Sequence, residues 1–411
     1  MAYKHRNDYD KINVLLTMFP AVVILGVRQA GKTTLAKQLR PDWLYIDLEK
    51  PSDLQRVSYD PDFFFQQHPN HIIIDEAQQF PVLFDCLRGV IDKNRDQAGR
   101  FIISGSSSPD ILKNVSESLA GRVAIVELGT FKANEIYEKP LSPFYQLLMK
   151  PLDRTFLTHL PCPQLSLIEL QQAWLHGGYP EPIFNPHPQF YLQWMENYEK
   201  TYLYRDIGKL FPKLNKVVFQ RFLTMLCKLS STILNKSDIA RALEVSEGSI
   251  RQFLSIAEGT FIWRQLLSYE KSIHRSIVKM PKGYIRDSGL LHALLKITDL
   301  QALYQDPVVG HSFEGFVIEE LLKGLESLLL THWSAYYFRT RSGVEIDLIL
   351  EGPFGTLPIE VKYGSSAHPR QWKAIDAFVQ NNQLDFGLLI NQATEARWLS
   401  PHVFQLPVNY L

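Results

Sequence analysis

The pattern Gly-x-x-x-x-Gly-Lys-Thr at residues 26–33 constrains the fold more than any other feature of this chain. It follows the apolar run Ala21–Leu25 and opens a segment with helical spacing, Thr33–Leu39, which is the strand-to-helix setting that a phosphate-binding loop requires. In that setting glycines let backbone N–H groups turn inward around phosphates, and the helix N-terminus adds partial positive charge. A chance glycine-rich turn is the alternative, and the flanking strand and helix disfavour it.

This loop predicts that the chain binds ATP and Mg²⁺. Lys32 should reach the β- and γ-phosphates, and the Thr33 hydroxyl should ligate Mg²⁺. The predicted nucleotide contacts are Gly26, Arg28, Gln29, Ala30, Gly31, Lys32, Thr33 and Thr34.

A second apolar run, Ile72–Ile74, ends in Asp75 and Glu76, which is typical of a Walker B strand. Asp75 would hold Mg²⁺ through water, and Glu76 would orient and activate the attacking water. The alternative is an acidic strand end that faces solvent.

Two further residues are candidates for sensing or stabilising the phosphates. Ser104 ends a third apolar strand, and Ser106 follows behind it; a polar residue at this point senses the γ-phosphate in ATPases with an extra strand between the P-loop and Walker B strands. Arg122 precedes the last strand and could act as an arginine finger, in its own subunit or a neighbour's. A simple Ser/Gly turn and a salt-bridged surface arginine are the alternatives.

Composition limits the classes of protein that this chain can be. Its 411 residues suggest two to four domains. Lys+Arg and Asp+Glu are equal at 43 each, so any nucleic-acid site must be a local basic patch. Three separated cysteines argue against a disulfide framework and a cysteine zinc site. With neither a signal peptide nor an apolar run of about 20 residues, we expect a soluble cytoplasmic protein without a membrane span.

The order of apolar runs predicts an α/β fold followed by other domains. Five buried parallel strands are expected in the first third, at Ala21–Gly26, Trp43–Leu48, His71–Asp75, Arg100–Gly105 and Val123–Leu128. We expect a P-loop ATPase domain at 1–130, a helical lid or linker at 131–219, a winged-helix-like domain at 220–300 and a nuclease-like α/β domain at 301–411.

Motifs along nearly the whole chain resemble a prokaryotic family of AAA-type ATPases whose C-terminal half is a domain of unknown function. The matching motifs are GVRQAGKTTL, IIIDEAQ, ISGSSS, SLAGR, GGYPEP, YLYRDI, YIRDSGLLHALL, GHSFEGFVIEEL, GVEIDLIL and PIEVKYG. Val27 departs from the proline common in the family, at a position that offers only backbone to the phosphates. The resemblance implies an ATPase domain, a winged-helix-like middle and a C-terminal fold similar to PD-(D/E)XK nucleases.

The C-terminal residues also suggest a metal site by their spacing. Asp347 lies on one predicted strand, and Glu360 and Lys362 share a face of the next, which is the PD-(D/E)XK spacing. Asp347 and Glu360 would hold Mg²⁺, Glu314 could add a carboxylate, and Lys362 would polarise the attacking water. The alternative is a degenerate fold that kept its shape and lost cleavage.

The middle of the chain contains a candidate DNA-binding element. The segment Ile233–Gly259 fits a helix-turn-helix, with Arg251 and Gln252 as contacts on the second helix. The basic stretch Arg264–Arg286 is a candidate backbone-binding patch. It includes Lys271, His274, Arg275, Lys279, Lys282 and Arg286, with Tyr269 and Tyr284 between them. The alternatives are a helix pair used only for packing and a solvated face.

Two functions therefore compete. The first is a Mg²⁺-dependent ATPase coupled to DNA or RNA handling, with metal-dependent cleavage as a further activity. The second is a nucleotide-controlled switch or binding module with an inactive nuclease-like domain. Either could act as a homo-oligomer.

Overall fold

The structure is a computed structural model that describes residues 4–106, 115, 117–211, 214–270 and 280–411. The chain divides into two compact units. The first contains Met1–Phe131, Tyr179–Phe184 and Leu254–Ile262, and the second contains the remainder. Among the described residues, no helix combines the length and the apolar character needed to cross a membrane.

A parallel sheet of five strands organises the first unit. Its strands are β1 (Ala21–Gly26), β2 (Leu44–Asp47), β3 (Ile72–Asp75), β4 (Phe101–Ser106) and β5 (Val123–Leu128). They lie in the order β2-β3-β4-β1-β5, and every neighbouring pair is parallel. The predicted parallel sheet is therefore confirmed, and β4 lies between the strand before the P-loop and the Walker B strand.

Side chains on the two faces of this sheet enter two separate apolar clusters. Val23 and Ile74 belong to one cluster, whereas Val22 and Ile73 belong to the other, as the alternation of side chains along a strand requires. The helices of this part of the chain are α1 (Asp8–Met18), α2 (Lys32–Leu39), α3 (Pro51–Ser58), α4 (Pro61–Gln67) and α5 (Leu83–Lys93), with a 3₁₀ turn at Ala77–Gln79.

The second unit contains a mixed sheet of nine strands. These are β6 (Thr232–Ile233), β7 (Trp263–Ser268), β8 (Lys282–Ile285), β9 (Ser334–Arg339), β10 (Glu345–Gly352), β11 (Gly355–Val361), β12 (Gly387–Asn391), β13 (Arg397–Ser400) and β14 (Val403–Pro407). Their order is β13-β14-β12-β11-β10-β9-β7-β8-β6. The two strands predicted to carry Asp347 and Glu360 are β10 and β11.

The remaining described helices continue in chain order. They are α6 (Ala133–Ile136), α7 (Arg154–Thr158), α8 (Leu167–His176), α9 (Pro180–Phe184), α10 (Phe190–Tyr198), a π-helical turn at Glu199–Asp206, α11 (Ile207–Leu210), α12 (Lys216–Lys228), α13 (Lys236–Leu243), α14 (Glu247–Gly259), α15 (Ser288–Leu294), α16 (Leu300–Gln305), α17 (Val309–Glu326) and α18 (Pro369–Asn381), with 3₁₀ turns at Pro143–Met149 and Val408–Tyr410. Helix α17 is buried along most of its length, and Phe313, Val317 and Leu321 enter the main core of the second unit.

The predicted pair of short helices in the middle segment forms as α13 and α14. Glu244 ends α13 in the left-handed conformation, with φ of 56°, and this turns the chain sharply. Ser246 Oγ accepts a hydrogen bond from Ser249 N at 3.1 Å, so Ser246 caps the start of α14. In the sequence, β6 precedes this helix pair, and β7 and β8 follow it. These three strands form an antiparallel arrangement in the order β7-β8-β6.

Candidate functional site

Backbone geometry explains the two glycines of the predicted phosphate loop. The loop leaves β1 at Gly26, where an added Cβ would lie 2.1 Å from the carbonyl oxygen of Leu128. Only glycine permits this approach between the loop and the end of β5. Gly31, with φ of 91°, and Gln29, with φ of 68°, take left-handed conformations immediately before α2 begins at Lys32. The loop thus has the tight, glycine-dependent turn that the motif predicts.

Lys32 lies inside this loop with only 6% of its surface exposed. Its ammonium donates hydrogen bonds to the carbonyl oxygens of Gly26 at 2.9 Å and Val27 at 3.0 Å. Burial lowers the pKa of Lys32 to about 8, because removal from water disfavours the charged form, although Glu76 and Asp75 partly oppose that effect. A buried ammonium that donates to neutral carbonyls is suited to binding an anion.

Asp75, at the carboxyl edge of the sheet, accepts hydrogen bonds from three hydroxyl groups. Its Oδ2 accepts hydrogen bonds from Thr33 Oγ1 at 2.6 Å and from Tyr45 Oη at 2.8 Å, and its Oδ1 accepts one from Ser104 Oγ at 2.5 Å. The structure therefore brings Thr33, Asp75 and Ser104 together, as their positions at strand and loop ends predicted. Hydroxyl and carboxylate oxygens are hard ligands that suit Mg²⁺.

No motif in the sequence points to Tyr45, which lies on β2 beside the Walker B strand. Its ring belongs to an apolar run, and its hydroxyl reaches Asp75 only because β2 and β3 are neighbours in register. Burial, followed by the charge of Asp75, raises the pKa of Tyr45 far above its usual value, so the hydroxyl stays protonated and donates. Knowledge of the strand order could have identified it.

Glu76 follows β3 directly and has a left-handed backbone, with φ of 53°. Such a conformation is uncommon for residues other than glycine and is concentrated at functional sites. Gln78 Nε2 donates a hydrogen bond to Glu76 Oε2. Of the other predicted nucleotide contacts, Ala30 is buried, Arg28 is half-buried, and Gln29 and Thr34 are exposed.

Arg122 lies away from this site. It immediately precedes β5, and Val123 is paired with Ala21 at the start of β1, so Arg122 is at the amino edge of the sheet. The six residues of β1 separate that edge from the loop by about 20 Å, at about 3.3 Å per residue. Arg122 Nε and Nη2 donate to both carboxylate oxygens of Asp92, at 2.7 and 2.8 Å. This position contradicts an interaction of Arg122 with a phosphate of its own chain and fits a salt-bridged arginine.

The second unit brings the predicted C-terminal carboxylates together, but around a lysine that the prediction had assigned to the basic stretch. Lys282 Nζ lies 2.7 Å from Glu314 Oε1, 2.7 Å from Glu345 Oε1 and 2.9 Å from Asp347 Oδ1. Only 1% of Lys282 is exposed. We call the set Lys282, Glu314, Glu345, Asp347, Glu360 and Lys362 the carboxylate–lysine cluster.

Lys362 completes one side of the carboxylate–lysine cluster. Its ammonium donates to Glu360 Oε1 at 2.5 Å and lies 3.8 Å from Asp347 Oδ2, which also accepts a hydrogen bond from the backbone N–H of Val361 at 3.0 Å. Asp347, Glu360 and Lys362 therefore converge, as their strand positions predicted. Glu360 Oε2 is buried and has no hydrogen-bond partner among the described residues.

Burial and charge shift the pKa values of these groups in opposite directions. Burial and the charge of Asp347 raise the pKa of Glu314 to about 7 and that of Glu360 to about 8. Burial alone would raise the pKa of Asp347, but Lys282 and Lys362 hold it below its usual value. Burial would lower the pKa of Lys282, yet Asp347 and Glu314 raise it well above the ordinary lysine value. The carboxylates around Lys282 therefore favour its charged form.

This arrangement does not fit the predicted metal site of Glu314, Asp347 and Glu360. The Lys282 ammonium directs its three N–H groups at carboxylates, including Glu314 and Asp347, and so already supplies their counter-charge. Across the described ranges, no group of three or more His, Cys, Asp and Glu side chains is arranged to hold a metal ion.

The prediction of an exposed basic patch at Arg264–Arg286 is wrong for those of its residues that the structure describes. Lys282, Arg286, Tyr269 and Tyr284 are all buried. Arg264 is paired with Glu319 and Glu326, and Arg286 with Glu319. Lys271, His274, Arg275 and Lys279 lie outside the described residues. On α14, Arg251 and Gln252 are exposed, and Arg251 lies 3.9 Å from Glu247.

Three family models match successive parts of the chain. Family models match an AAA domain at residues 18–137, a domain of unknown function (DUF8612) at 167–301 and another domain of unknown function (DUF4143) at 309–411. The uncharacterized proteins Mb2031c of Mycobacterium bovis and Rv2008c of Mycobacterium tuberculosis are each 32% identical over 354 residues, which is 85% of this chain and 72% of theirs. The chain belongs to the same family as these mycobacterial proteins. In this family member, the first unit carries an AAA-type P-loop ATPase domain.

Two solved structures show a low similarity to this chain. The Walker-type ATPase PABY2304 of Pyrococcus abyssi is 13% identical, with a TM-score of 0.44, over 72% of this chain and 96% of that one. The Orc1 protein of Aeropyrum pernix, solved with DNA, is 11% identical, with a TM-score of 0.32, over 72% of this chain and 93% of that one. Likeness at these low scores carries no inference about what this family member binds.

Proposed function

We propose that this protein is a Mg²⁺-dependent ATPase whose nucleotide turnover is coupled to nucleic-acid binding by α13 and α14. The observation that supports ATP binding best is the buried ammonium of Lys32, which donates hydrogen bonds of 2.9 and 3.0 Å to the neutral loop carbonyls of Gly26 and Val27. Phosphate oxygens are stronger, charged acceptors, and they would take these N–H groups when ATP binds.

The residues around Asp75 fit a bound Mg²⁺. Thr33 and Asp75 would hold the ion, which when bound neutralises charge that develops on the phosphates. Tyr45 and Ser104 each donate to Asp75 and so fix the direction of its carboxylate. Glu76 would accept a proton from the attacking water, and its left-handed backbone directs it away from the strand.

The exposed face of α14 supports nucleic-acid binding. Arg251 and Gln252 lie side by side on the second helix of the pair, where such helices present residues to a major groove. Asp238, Glu244 and Glu247 are exposed nearby, so the surface is not uniformly basic. Contact through a few side chains is therefore favoured over a broad electrostatic attraction.

The structure supports nuclease activity of the C-terminal domain less well than it supports ATP binding. The specific observation that favours an inactive, nuclease-like domain is Lys282, whose ammonium is 2.9 Å from Asp347 Oδ1 and 2.7 Å from Glu314 Oε1. A nucleotide-controlled switch with a non-cleaving C-terminal domain is therefore the second candidate function. In a homo-oligomer, Arg122 could serve a neighbour's phosphate only by leaving Asp92.

The test is phosphate release from ATP by the full chain, with and without Mg²⁺, and with duplex DNA, single-stranded DNA or RNA. We expect Mg²⁺-dependent turnover that rises with at least one nucleic acid. Arg251→Ala should abolish the rise and keep the basal rate. Arg221→Ala is the matched control, since Arg221 is an exposed arginine on α12, outside the α13–α14 pair.

Each alternative predicts a different result. ATP binding without turnover would support the switch, and turnover that no nucleic acid changes would contradict the coupling. The same samples are examined for cleaved DNA with Mg²⁺ or Mn²⁺, and we expect none. If DNA is cleaved and Glu360→Gln abolishes the cleavage, the nuclease hypothesis is supported.

A further inference from the structure

A buried arginine from the segment before α1 contacts the phosphate loop. Only 4% of the surface of Arg6 is exposed. Its Nη1 donates a hydrogen bond to the carbonyl oxygen of Ala30, within the loop, at 2.9 Å, and its Nη2 donates one to the carbonyl oxygen of Gly129 at 2.8 Å. The guanidinium therefore connects the loop to a backbone segment that is distant in sequence.

Both of these carbonyls lie where the loop meets the end of β5. Gly129 directly follows β5, which ends at Leu128. At its start the loop already lies against this strand end, because an added Cβ at Gly26 would be 2.1 Å from the carbonyl oxygen of Leu128. Arg6 makes a second connection near the end of the loop, through Ala30. The loop is thus held against the end of β5 at two points.

Arg6 is itself held in place by its backbone and by its side chain. Its carbonyl oxygen accepts a hydrogen bond from Tyr9 N at 3.0 Å, in the first turn of α1. Ile12 and Leu16 of that helix enter an apolar cluster on one face of the five-stranded sheet. The guanidinium carbon lies 4.3 Å from the centre of the Phe131 ring, which is a cation–π contact. The two donating nitrogens therefore have a defined direction.

The hydrogen bond to Ala30 sets the direction of the next backbone N–H group. In a trans peptide the C=O of one residue and the N–H of the following residue point in opposite directions, and no described peptide bond is cis. Because Arg6 holds the Ala30 carbonyl, the Gly31 N–H is directed away from Arg6. Gly31 immediately precedes α2, and N–H groups at the start of a helix bind phosphates.

We propose that Arg6 is a positioning residue for the phosphates of ATP. It fixes the peptide between Ala30 and Gly31, so that the Gly31 N–H is one of the loop donors to the α- and β-phosphates. Arg6 acts through the loop backbone, since two of its nitrogens already donate to carbonyls. The proposal rests on nucleotide binding by the P-loop and requires neither hydrolysis nor coupling to nucleic acid.

The backbone at this point explains why such a residue is needed. Gly31 has φ of 91°, and glycine is the residue whose backbone loses the most freedom when it is ordered. Without a fixed neighbour, the peptide before Gly31 could turn its N–H away from the ligand. Ordering that peptide during binding would then lower the affinity, whereas a loop that is already ordered avoids this cost.

The experiment separates the phosphates from the rest of the nucleotide. Full-length wild type, Arg6→Met and Arg6→Lys are titrated with Mg²⁺-ADP and with Mg²⁺-pyrophosphate, each of which displaces a fluorescent ADP analogue. Arg6→Met keeps an apolar stem and removes every donor. We expect it to weaken both ligands by the same factor, about tenfold or more, as for a buried hydrogen bond from a charged group.

Arg6→Lys tests whether a conservative substitution restores binding. A single ammonium can donate to these carbonyls but lacks the planar fork of arginine. We expect its affinities for ADP and pyrophosphate to lie between those of wild type and Arg6→Met, about two- to fivefold below wild type.

Leu16→Ala is the control for a general loss of stability. Leu16 is buried, and its carbonyl oxygen lies beside Gly99, just before β4 begins, which is the edge of the sheet opposite the loop. This variant should lower the midpoint of urea unfolding. It should keep both affinities within about twofold of wild type, because its effect is distant from the ligand.

Three results would overturn the role of Arg6 and leave nucleotide binding intact. The first is a folded Arg6→Met that binds pyrophosphate as wild type does. The second is a loss confined to ADP, which would place Arg6 at the nucleoside part of the ligand. The third is an equal loss in Leu16→Ala.

Two further outcomes are also decisive. If Arg6→Met does not fold, Arg6→Lys decides the question, and wild-type affinity for pyrophosphate in Arg6→Lys overturns the proposal. A wild type that binds neither ADP nor pyrophosphate would overturn ATP binding by the loop, and the role of Arg6 with it.

Discussion

Each unit of this protein contains a deeply buried lysine, and the two lysines differ in their partners. In the first unit, Lys32 donates to the neutral carbonyl oxygens of Gly26 and Val27, and its pKa falls to about 8 because burial is the largest influence. In the second unit, Lys282 lies against three carboxylates, and its pKa rises well above the ordinary value. Burial is similar, so the partners decide the outcome.

The difference between these acceptors indicates which of the two buried lysines can bind a further ligand. Lys32 is held in place by acceptors that do not cancel its charge, so an anion that enters the loop gains a strong interaction. Lys282 already has its counter-charges, so a further cation or anion gains little there. A buried lysine is therefore informative about binding only when its acceptors are known.

The largest effect that tests this comparison is on stability. Lys282→Met should lower the free energy of unfolding by about 3 to 5 kcal/mol, because it leaves buried carboxylates without their counter-charge. Urea denaturation without divalent ions measures it. Lys296→Met is the control, since Lys296 forms an exposed pair with Glu199, and it should change stability by less than about 1 kcal/mol. Equal losses in the two variants would contradict the assigned role of Lys282.

Lys32→Ala should weaken ATP binding and leave the free energy of unfolding nearly unchanged. We expect ATP affinity to fall by roughly 30-fold or more, since truncating one partner of a buried charge pair costs about 2 kcal/mol or more. Stability without nucleotide should change little, because the ammonium has no charged partner in its hydrogen bonds. Fluorescent-nucleotide titration and urea denaturation give both values. Lys93→Ala, which removes an exposed lysine from α5 of the same unit, is the control and should retain ATP affinity.

Glu76→Gln tests whether the P-loop site hydrolyses ATP after binding it. Turnover should fall by about 100-fold with ATP affinity retained, because only the water-activating carboxylate is lost. Single-turnover phosphate release measures the chemical step. Glu244→Gln is a matched control, as Glu244 also has a left-handed backbone and lies in the second unit. Unchanged turnover in Glu76→Gln would remove Glu76 from the mechanism.

The carboxylate–lysine cluster should also make stability depend on pH. Glu314 and Glu360 have raised pKa values, about 7 and about 8, so the folded state holds protons that the unfolded chain has lost above its ordinary value of 4.5. The free energy of unfolding should therefore fall as pH rises towards 8, by at most about 1.4 kcal/mol per pH unit for each proton.

Glu360→Gln should flatten that slope, and exposed Glu395→Gln should not. Measurement between pH 6.5 and 8 avoids the opposite contribution of buried His292, whose pKa is lowered from 6.5 to about 4 and whose stabilising effect is complete above 6.5. Equal slopes in wild type and Glu360→Gln would exclude this titration.

Tyr45→Phe should give the smallest effect. It removes one of three hydroxyls that donate to Asp75, and we expect turnover to fall by about two- to tenfold, as for one hydrogen bond. Steady-state phosphate release at saturating ATP measures it. The control is Tyr59→Phe, since Tyr59 is 89% exposed and should leave turnover unchanged.

Features carried by consecutive residues could be predicted from the sequence. The run Ala21–Leu25 and the residues after it define a strand, a turn and a helix without help from distant residues, and the predicted strand matches β1. Asp347, Glu360 and Lys362 were also predictable as a group, because two strands joined by a short turn place them side by side.

Features that depend on distant pairing were missed. Lys282 is separated from Asp347 by 65 residues, and only the alignment of β8 with the rest of the sheet brings them together. In the sequence it is one of several basic residues in the stretch Arg264–Arg286. The same limit applies to Arg122, whose neighbour Asp92 could not be inferred.

Some motifs of the resemblance have structural explanations. A Cβ at Gly177 would lie 2.1 Å from Asp287 Oδ1, and Gly178 N donates to Asp287 Oδ2 at 2.8 Å, so GGYP and YIRD fit against each other. Glu319 is paired with Arg264, and Glu320 with Lys132 at 3.3 Å. These contacts stabilise the second unit, so these particular residues have a structural explanation.

The pairing of β7 with β9 affects any attempt to study the C-terminal domain alone. Leu267 and Ser268 of β7 are aligned with Tyr336 and Tyr337 of β9 in parallel register. A fragment that starts at residue 309, where the family model begins, would lack β7 and turn β9 into an open edge strand. Unpaired N–H and C=O groups on an edge with Tyr336 and Phe338 favour aggregation. Soluble fragments of this protein should therefore begin before Trp263, so that β9 keeps its pairing with β7.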